Sequence, residues 1–153
     1  MAEDSEELAT RLVIDASRVD PEGETLEGEV DCIDLEEEFV HPFGGIRYRL
    51  EVQVFGTEML VRGRLEQDFS LVCSRCGQDF DDTVKVEDFT ISYEIGDRNP
   101  EIDVSEDLRE AVILELPQFP LCDEACPGIE RKSEKIEDDR WGALDALTNP
   151  PEK

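Results

Sequence analysis

The sequence predicts an α+β, mainly β fold: a twisted antiparallel sheet or partly open barrel, with one packed helix and a short C-terminal helix. Three observations predict it. Ile46, Tyr48, Leu50, Val52 and Val54 alternate with Arg47, Arg49, Glu51 and Gln53, the period-two pattern of a strand with one buried face. Gly56-Thr57 then offers a two-residue type II′ turn. Pairing Phe55 with Glu58 places Val54 opposite Met59, Val52 opposite Val61 and Leu50 opposite Gly63. Both apolar sets then share one face, so the register is self-consistent. A third alternating run, from Phe80 to about Ile95, changes parity between Val84 and Val86 on one side and Phe89, Ile91, Tyr93 and Ile95 on the other. A bulge near Glu87-Asp88 accounts for the change.

The other elements follow in chain order. Residues 1–10 read as a disordered acidic arm, and residues 11–130 as a single β-rich domain. Residues 131–153 read as a polar tail with a short amphipathic helix. Arg11-Leu12-Val13-Ile14-Asp15 is a short strand, and Pro21 and Gly23 mark a loop. Residues 26–33 form a second strand, followed by the acidic stretch 34–38. His41-Pro42-Phe43-Gly44-Gly45 reads as a turn cluster. The return strand of the hairpin runs through Leu65, Phe69 and Leu71 to Cys73. Residues 96–103 are a loop. Ser105 is placed to cap a helix with Glu106 and Asp107 in its first turn. Leu108, Ala111, Val112 and Leu116 give that helix its apolar stripe, and Pro117 stops it. The segment from Pro117 to Cys126 is extended. Residues 138–147 form the tail's amphipathic helix.

Charge limits the partners. Forty-one acids against 15 lysines and arginines give a formal charge of −26. Such a chain repels nucleic acid and anionic membranes at long range and attracts basic partners. No apolar run approaches the roughly 18 residues that span a bilayer, and residues 1–10 lack the basic and apolar regions of a signal peptide. The expected location is therefore the cytoplasm, where thiols stay reduced. Cysteines there point to metal binding or reactivity before disulfides.

Four of the five cysteines form two pairs. Cys73 and Cys76 are three apart with Gly77 following, the spacing of a knuckle that grips an ion between two thiolates. Cys122 and Cys126 form a looser pair. Together they make the closed tetrahedral set of a structural zinc site, with no open position for a catalytic water. Four thiolates around a dication leave two excess negative charges, which Arg75 inside the first knuckle is placed to offset. The alternative is that the cysteines are ordinary buried residues or remnants of an ancestral site. A redox pair fits less well, because Cys73 and Cys76 lie in a β meander and not a βαβ unit. Cys32 stands alone and reads as a small buried hydrophobe. His41, the single histidine, lies beside a turn and is not expected to be a ligand.

Three ordered anchors carry a resemblance. They are Leu71-Val72-Cys73-Ser74-Arg75-Cys76 between two strands, Leu114-Glu115-Leu116-Pro117 followed by Pro120-Leu121-Cys122, and Asp139-Arg140-Trp141 followed by Ala143-Leu144 and Leu147. In this order they resemble the YceD family, the large ribosomal RNA subunit accumulation proteins, over roughly residues 40–147. The resemblance implies a non-enzymatic role in accumulation of 23S ribosomal RNA and assembly of the large subunit. The implied partners are large-subunit ribosomal RNA or an assembly particle, with no membrane and no small-molecule substrate. Many family members carry further cysteines after the second pair. Here Pro127-Gly128-Ile129 follows Cys126 and no cysteine comes later.

Two surfaces are candidates for contact. Arg47, Arg49, Arg62 and Arg64 point outward from the hairpin, with Arg49 facing Arg64 and Arg62 facing Glu51. Arginines directly opposite each other destabilise a sheet unless an anion shares them, so RNA phosphate is one reading. Pairing with the protein's own acids, for example residues 34–38, is the other and the favoured one. Trp141, Leu144 and Leu147 are expected to pack back on the sheet, with docking in a partner groove as the alternative. An acidic escort for a basic ribosomal protein is the competing function, and the charge favours it directly. An enzyme has little support: one histidine, no glycine-rich phosphate loop and no open metal position.

Overall fold

The computed structural model describes residues 8–129 and 141–148. It is mainly β, with antiparallel sheets that do not close. Strands β2 (Glu24–Val30), β3 (Val40–Phe55), β4 (Glu58–Val72) and β5 (Asp79–Glu94) form one sheet in the order β2-β3-β4-β5. Strands β1 (Val13–Asp15) and β6 (Glu101–Asp103) form a separate two-stranded sheet. Helix α1 spans Ser105–Leu114 and helix α2 spans Gly142–Thr148.

The hairpin has the register expected from the alternation. Phe55 pairs with Glu58, Val52 with Val61, Leu50 with Gly63 and Arg49 with Arg64. Gly56 has φ +59 while Thr57 stays at negative φ, the signature of a type II′ turn. The inward residues Leu50, Val52, Met59, Val61, Leu65 and Phe69 are fully buried. Between β4 and β5, Gly63 pairs with Phe89 and Leu65 with Val86. Arg64 therefore faces two residues, Glu87 and Asp88, and the expected bulge is present.

A second bulge corrects the turn expected at residues 41–45. That segment belongs to β3, where His41 pairs with Ser70 and Pro42 with Phe69. Proline is tolerated because β2 pairs only with residues 46–52, leaving this part of β3 at the edge. The register shifts between Phe43 and Arg47, and Gly44, at φ +69, supplies the conformation the shift requires. Gln67 is buried beneath it, and its Nε2 donates to the carbonyls of Phe43 and Gly44, at 3.0 and 3.3 Å. A buried polar side chain thus serves carbonyls that the bulge removes from the ladder.

Three further expectations change. The strand at residues 11–15 pairs with β6, which lies in the segment read as a loop. Ser105 does not cap α1: Val104 is the N-cap, with no side-chain cap bond. Ser105 Oγ instead accepts from Leu12 N at 2.6 Å, and Asp103 accepts from Ser105 N at 3.0 Å. This stitches β1 and β6 to the start of the helix. Ala9 bridges Val30, so ordered structure begins within the stretch read as an arm; residues 1–7 lie outside the described residues. Leu108 and Val112 are buried as the stripe implied, and α1 lies on β4 and β5. The Tyr93 hydroxyl donates to the Asp107 carboxylate. Burial first, and that bond second, hold the tyrosine above its ordinary pKa.

Candidate metal centre

The two cysteine pairs lie far apart in sequence and meet at one end of the sheet. β4 delivers Cys73. There Cys73 N donates to the Gln78 carbonyl at 2.8 Å and Gly77 N to the Cys73 carbonyl at 2.9 Å. The loop closes tightly because Gly77, at φ +74, takes a conformation that side chains disfavour. α1 ends before Pro117, and the chain returns past β4. Ser74 N and Oγ both donate to the Pro120 carbonyl, at 2.8 and 2.9 Å. In the second pair, Asp123 organises the turn: its carboxylate accepts from Ala125 N at 2.8 Å and its carbonyl from Cys126 N at 3.0 Å. Arg75 spans the pairs, donating to the carbonyls of Glu124 and Cys126 at 3.2 Å each.

All four sulfurs lie within 4.8 Å of one another. Cys73 and Cys126 Sγ are 3.8 Å apart, and Cys76 and Cys122 Sγ 3.7 Å. Disulfide sulfurs would be about 2.0 Å apart. A tetrahedral ion with metal–sulfur bonds of about 2.3 Å spaces its ligands by about 3.8 Å. The observed spacing matches the second case, so these cysteines could bind a metal ion. Cys73 and Cys126 are buried, Cys76 is half-buried and Cys122 is exposed, so the site opens at Cys122.

The electrostatics agree. The Cys73 thiol is drawn down to about 6, chiefly by the backbone N–H of Cys122 and then that of Cys76. Cys122 is pushed up to about 12 by the neighbouring sulfurs of Cys126 and Cys73, then by burial. Cys73 ionises first, and Cys76 and Cys122, both raised, resist following it. A cation at the centre removes that resistance. Cys32 lies outside the group. It is half-buried with Sγ 3.6 Å from the Ser105 carbonyl, and burial followed by Asp31 raises it to about 11. His41 is exposed and its ring contacts the Glu38 carbonyl at 3.2 Å.

The four outward arginines are all engaged by carboxylates. Arg47 makes two bonds to Asp68, at 2.9 and 3.2 Å, and lies 3.6 Å from Glu66. Arg49 reaches Glu27 at 3.1 Å, Arg62 reaches Glu51 at 3.2 Å and Arg64 reaches Glu87 at 3.8 Å. The acids come from neighbouring strands, not from residues 34–38. The facing Arg49 and Arg64 are each drawn outward, one to β2 and the other to the bulge of β5. Sequence reasoning found Glu51 by register. It missed Glu27 and Glu87, because neither the place of β2 nor the bulge's exact alignment is visible locally.

Trp141, Leu144 and Leu147 are all exposed, so the expected return of this face to the sheet is not seen. Among the described residues no helix is long and apolar enough to cross a membrane. No family model, curated protein or solved structure matches the chain.

Proposed function

We propose that this protein is a non-enzymatic cytoplasmic factor for accumulation of 23S ribosomal RNA and assembly of the large ribosomal subunit, with structural zinc at its four cysteines. The observation that carries the reading is the meeting of the first two anchors of the YceD resemblance. Leu71-Val72-Cys73-Ser74-Arg75-Cys76 and Pro120-Leu121-Cys122 join through Ser74 and Pro120 and through the sulfurs. Residues far apart in sequence thus have one shared task. Zinc suits the site because it favours tetrahedral thiolates, and four ligands leave no open position for hydrolytic chemistry.

A second reading, an acidic escort for a basic ribosomal protein, is favoured by the engagement of all four arginines with carboxylates. That leaves little uncompensated positive charge on the hairpin for phosphate, while the −26 charge attracts a basic chain. In either reading, Trp141, Leu144 and Leu147 supply an exposed apolar docking face.

A pull-down of the tagged protein from lysate, with and without RNase, tests both readings. Large-subunit RNA whose ribosomal proteins vanish on RNase treatment supports the assembly factor. One basic ribosomal protein that survives RNase supports the escort. Recovery of neither refutes a role at the ribosome.

A further inference from the structure

The four-stranded sheet has two unequal edges. β2 is 7 residues long, and Ala9 already bridges its end at Val30. β5 is 16 residues long, and β4 covers only one of its sides. Two bonds fix which way its backbone groups point. Ile95 N donates to the Thr57 carbonyl at 2.6 Å, and Cys73 N to the Gln78 carbonyl at 2.8 Å. Backbone donors alternate sides along a strand. With the register of β4 and β5, those bonds turn Asp79, Asp81 and Lys85 before the bulge, and Thr90, Ser92 and Glu94 after it, away from β4. The Thr83 N–H also points outward, but the Asp82 carboxylate takes it at 2.9 Å. Among the described residues, the backbone N–H groups of the other six have no partner.

The side chains along this edge decide what fits it. β5 carries Asp79, Asp81, Asp82, Glu87, Asp88 and Glu94 against Lys85 alone. A second copy of the chain would set carboxylates against carboxylates, which disfavours pairing. RNA phosphate is repelled in the same way. An extended basic segment meets both demands: its backbone completes the ladder and its side chains meet the acids.

From this we infer that the outer edge of β5 takes an extended, lysine- or arginine-rich segment of a partner protein as a fifth strand. The inference deepens the escort reading, on which it rests, by naming the element and the chemistry. It can fail while that reading stands, because acidic surface alone can hold a basic protein without strand pairing.

The test uses the full chain and two synthetic eight-residue peptides. One alternates lysine and valine. The other has the same charge, with two valines replaced by proline so that backbone donors are lost. The alternating peptide is expected to bind at least about tenfold more tightly, the effect of losing a few main-chain bonds. Residue-resolved hydrogen exchange should show the amides of Thr90, Ser92 and Glu94 gaining protection, with those of Phe89 and Ile91, bonded to β4, unchanged. Equal affinity for the two peptides overturns strand addition and leaves charge attraction alone. Absence of binding by either peptide at low salt also overturns it, and the escort reading then stands or falls on the pull-down.

Discussion

Replacing Gly63 by alanine tests the packing at the centre of the sheet. Gly63 faces Leu50 across the hairpin. A methyl group built on it overlaps the Arg49 carbonyl oxygen and lies 2.9 Å from both Arg49 C and Leu50 Cα. Non-bonded carbons rest at about 3.5–4.0 Å. Backbone in the middle of β3 must therefore retreat by at least about 0.6 Å to reach the near limit of that range, and the Arg49 carbonyl must move farther. Both atoms are main chain in a sheet paired on either side, so no side-chain rotation relieves the clash. Overpacking of this kind costs about 1–3 kcal/mol. The reduced freedom of the unfolded chain returns about 0.4–1 kcal/mol. The net expectation is a loss of about 1.3 kcal/mol, or roughly 3–5 °C in Tm for a chain of this size. Gly96→Ala is the matched control. Its added methyl meets nothing within 4 Å and its φ is not positive, so it should stabilise by about 0.4–1 kcal/mol. Urea denaturation of the two variants, read as the shift in midpoint at constant slope, measures both. Equal stability of Gly63→Ala and wild type would refute the close approach of β3 and β4.

Other expectations bear on the site and surface. Protein purified without chelator or affinity tag should carry close to one equivalent of zinc, and chelation should lower Tm; less than a quarter of an equivalent removes the metal reading. The Arg49→Ala/Arg64→Ala variant should bind ribosomal RNA as well as wild type at several salt concentrations, and clear weakening would restore the phosphate reading. Its stability should change by no more than about 1 kcal/mol, since both ion pairs are exposed. Bonds from Arg47 first and Thr83 second hold the Asp68 carboxyl below its ordinary value of 3.8. The stabilisation it provides is therefore present above that value and lost as pH falls through the lower folded one. Wild type should exceed Asp68→Asn in stability at neutral pH, with the gap closing below pH 3.8; a constant gap refutes the linkage. Deleting residues 138–153 should leave Tm unchanged, because Trp141, Leu144 and Leu147 are exposed, while abolishing capture of a partner that docks there.

By itself the sequence determined whatever depends on local period and spacing. Alternation from Ile46, the Gly56 turn and the parity change near Glu87-Asp88 specify one register, since a one-residue slip would expose the whole apolar face. The paired cysteines were legible for a similar reason: thiolate spacing is local chemistry, and only the partner pair had to be found. Tertiary structure decided the rest. Gly44-Gly45 reads as a turn from composition, yet Gln67, more than twenty residues away, supplies the donors that let it stay in β3 as a bulge. Ser105 has the chemistry of a helix cap, but Leu12 N occupies its oxygen. The arginines found their acids on strands whose neighbours no local pattern reveals. Likewise, the open side of β5 exists only because the sheet ends there. Hydrophobic period is repeated along the chain, whereas the choice of hydrogen-bond and ion-pair partners is made between segments and settles only when they pack.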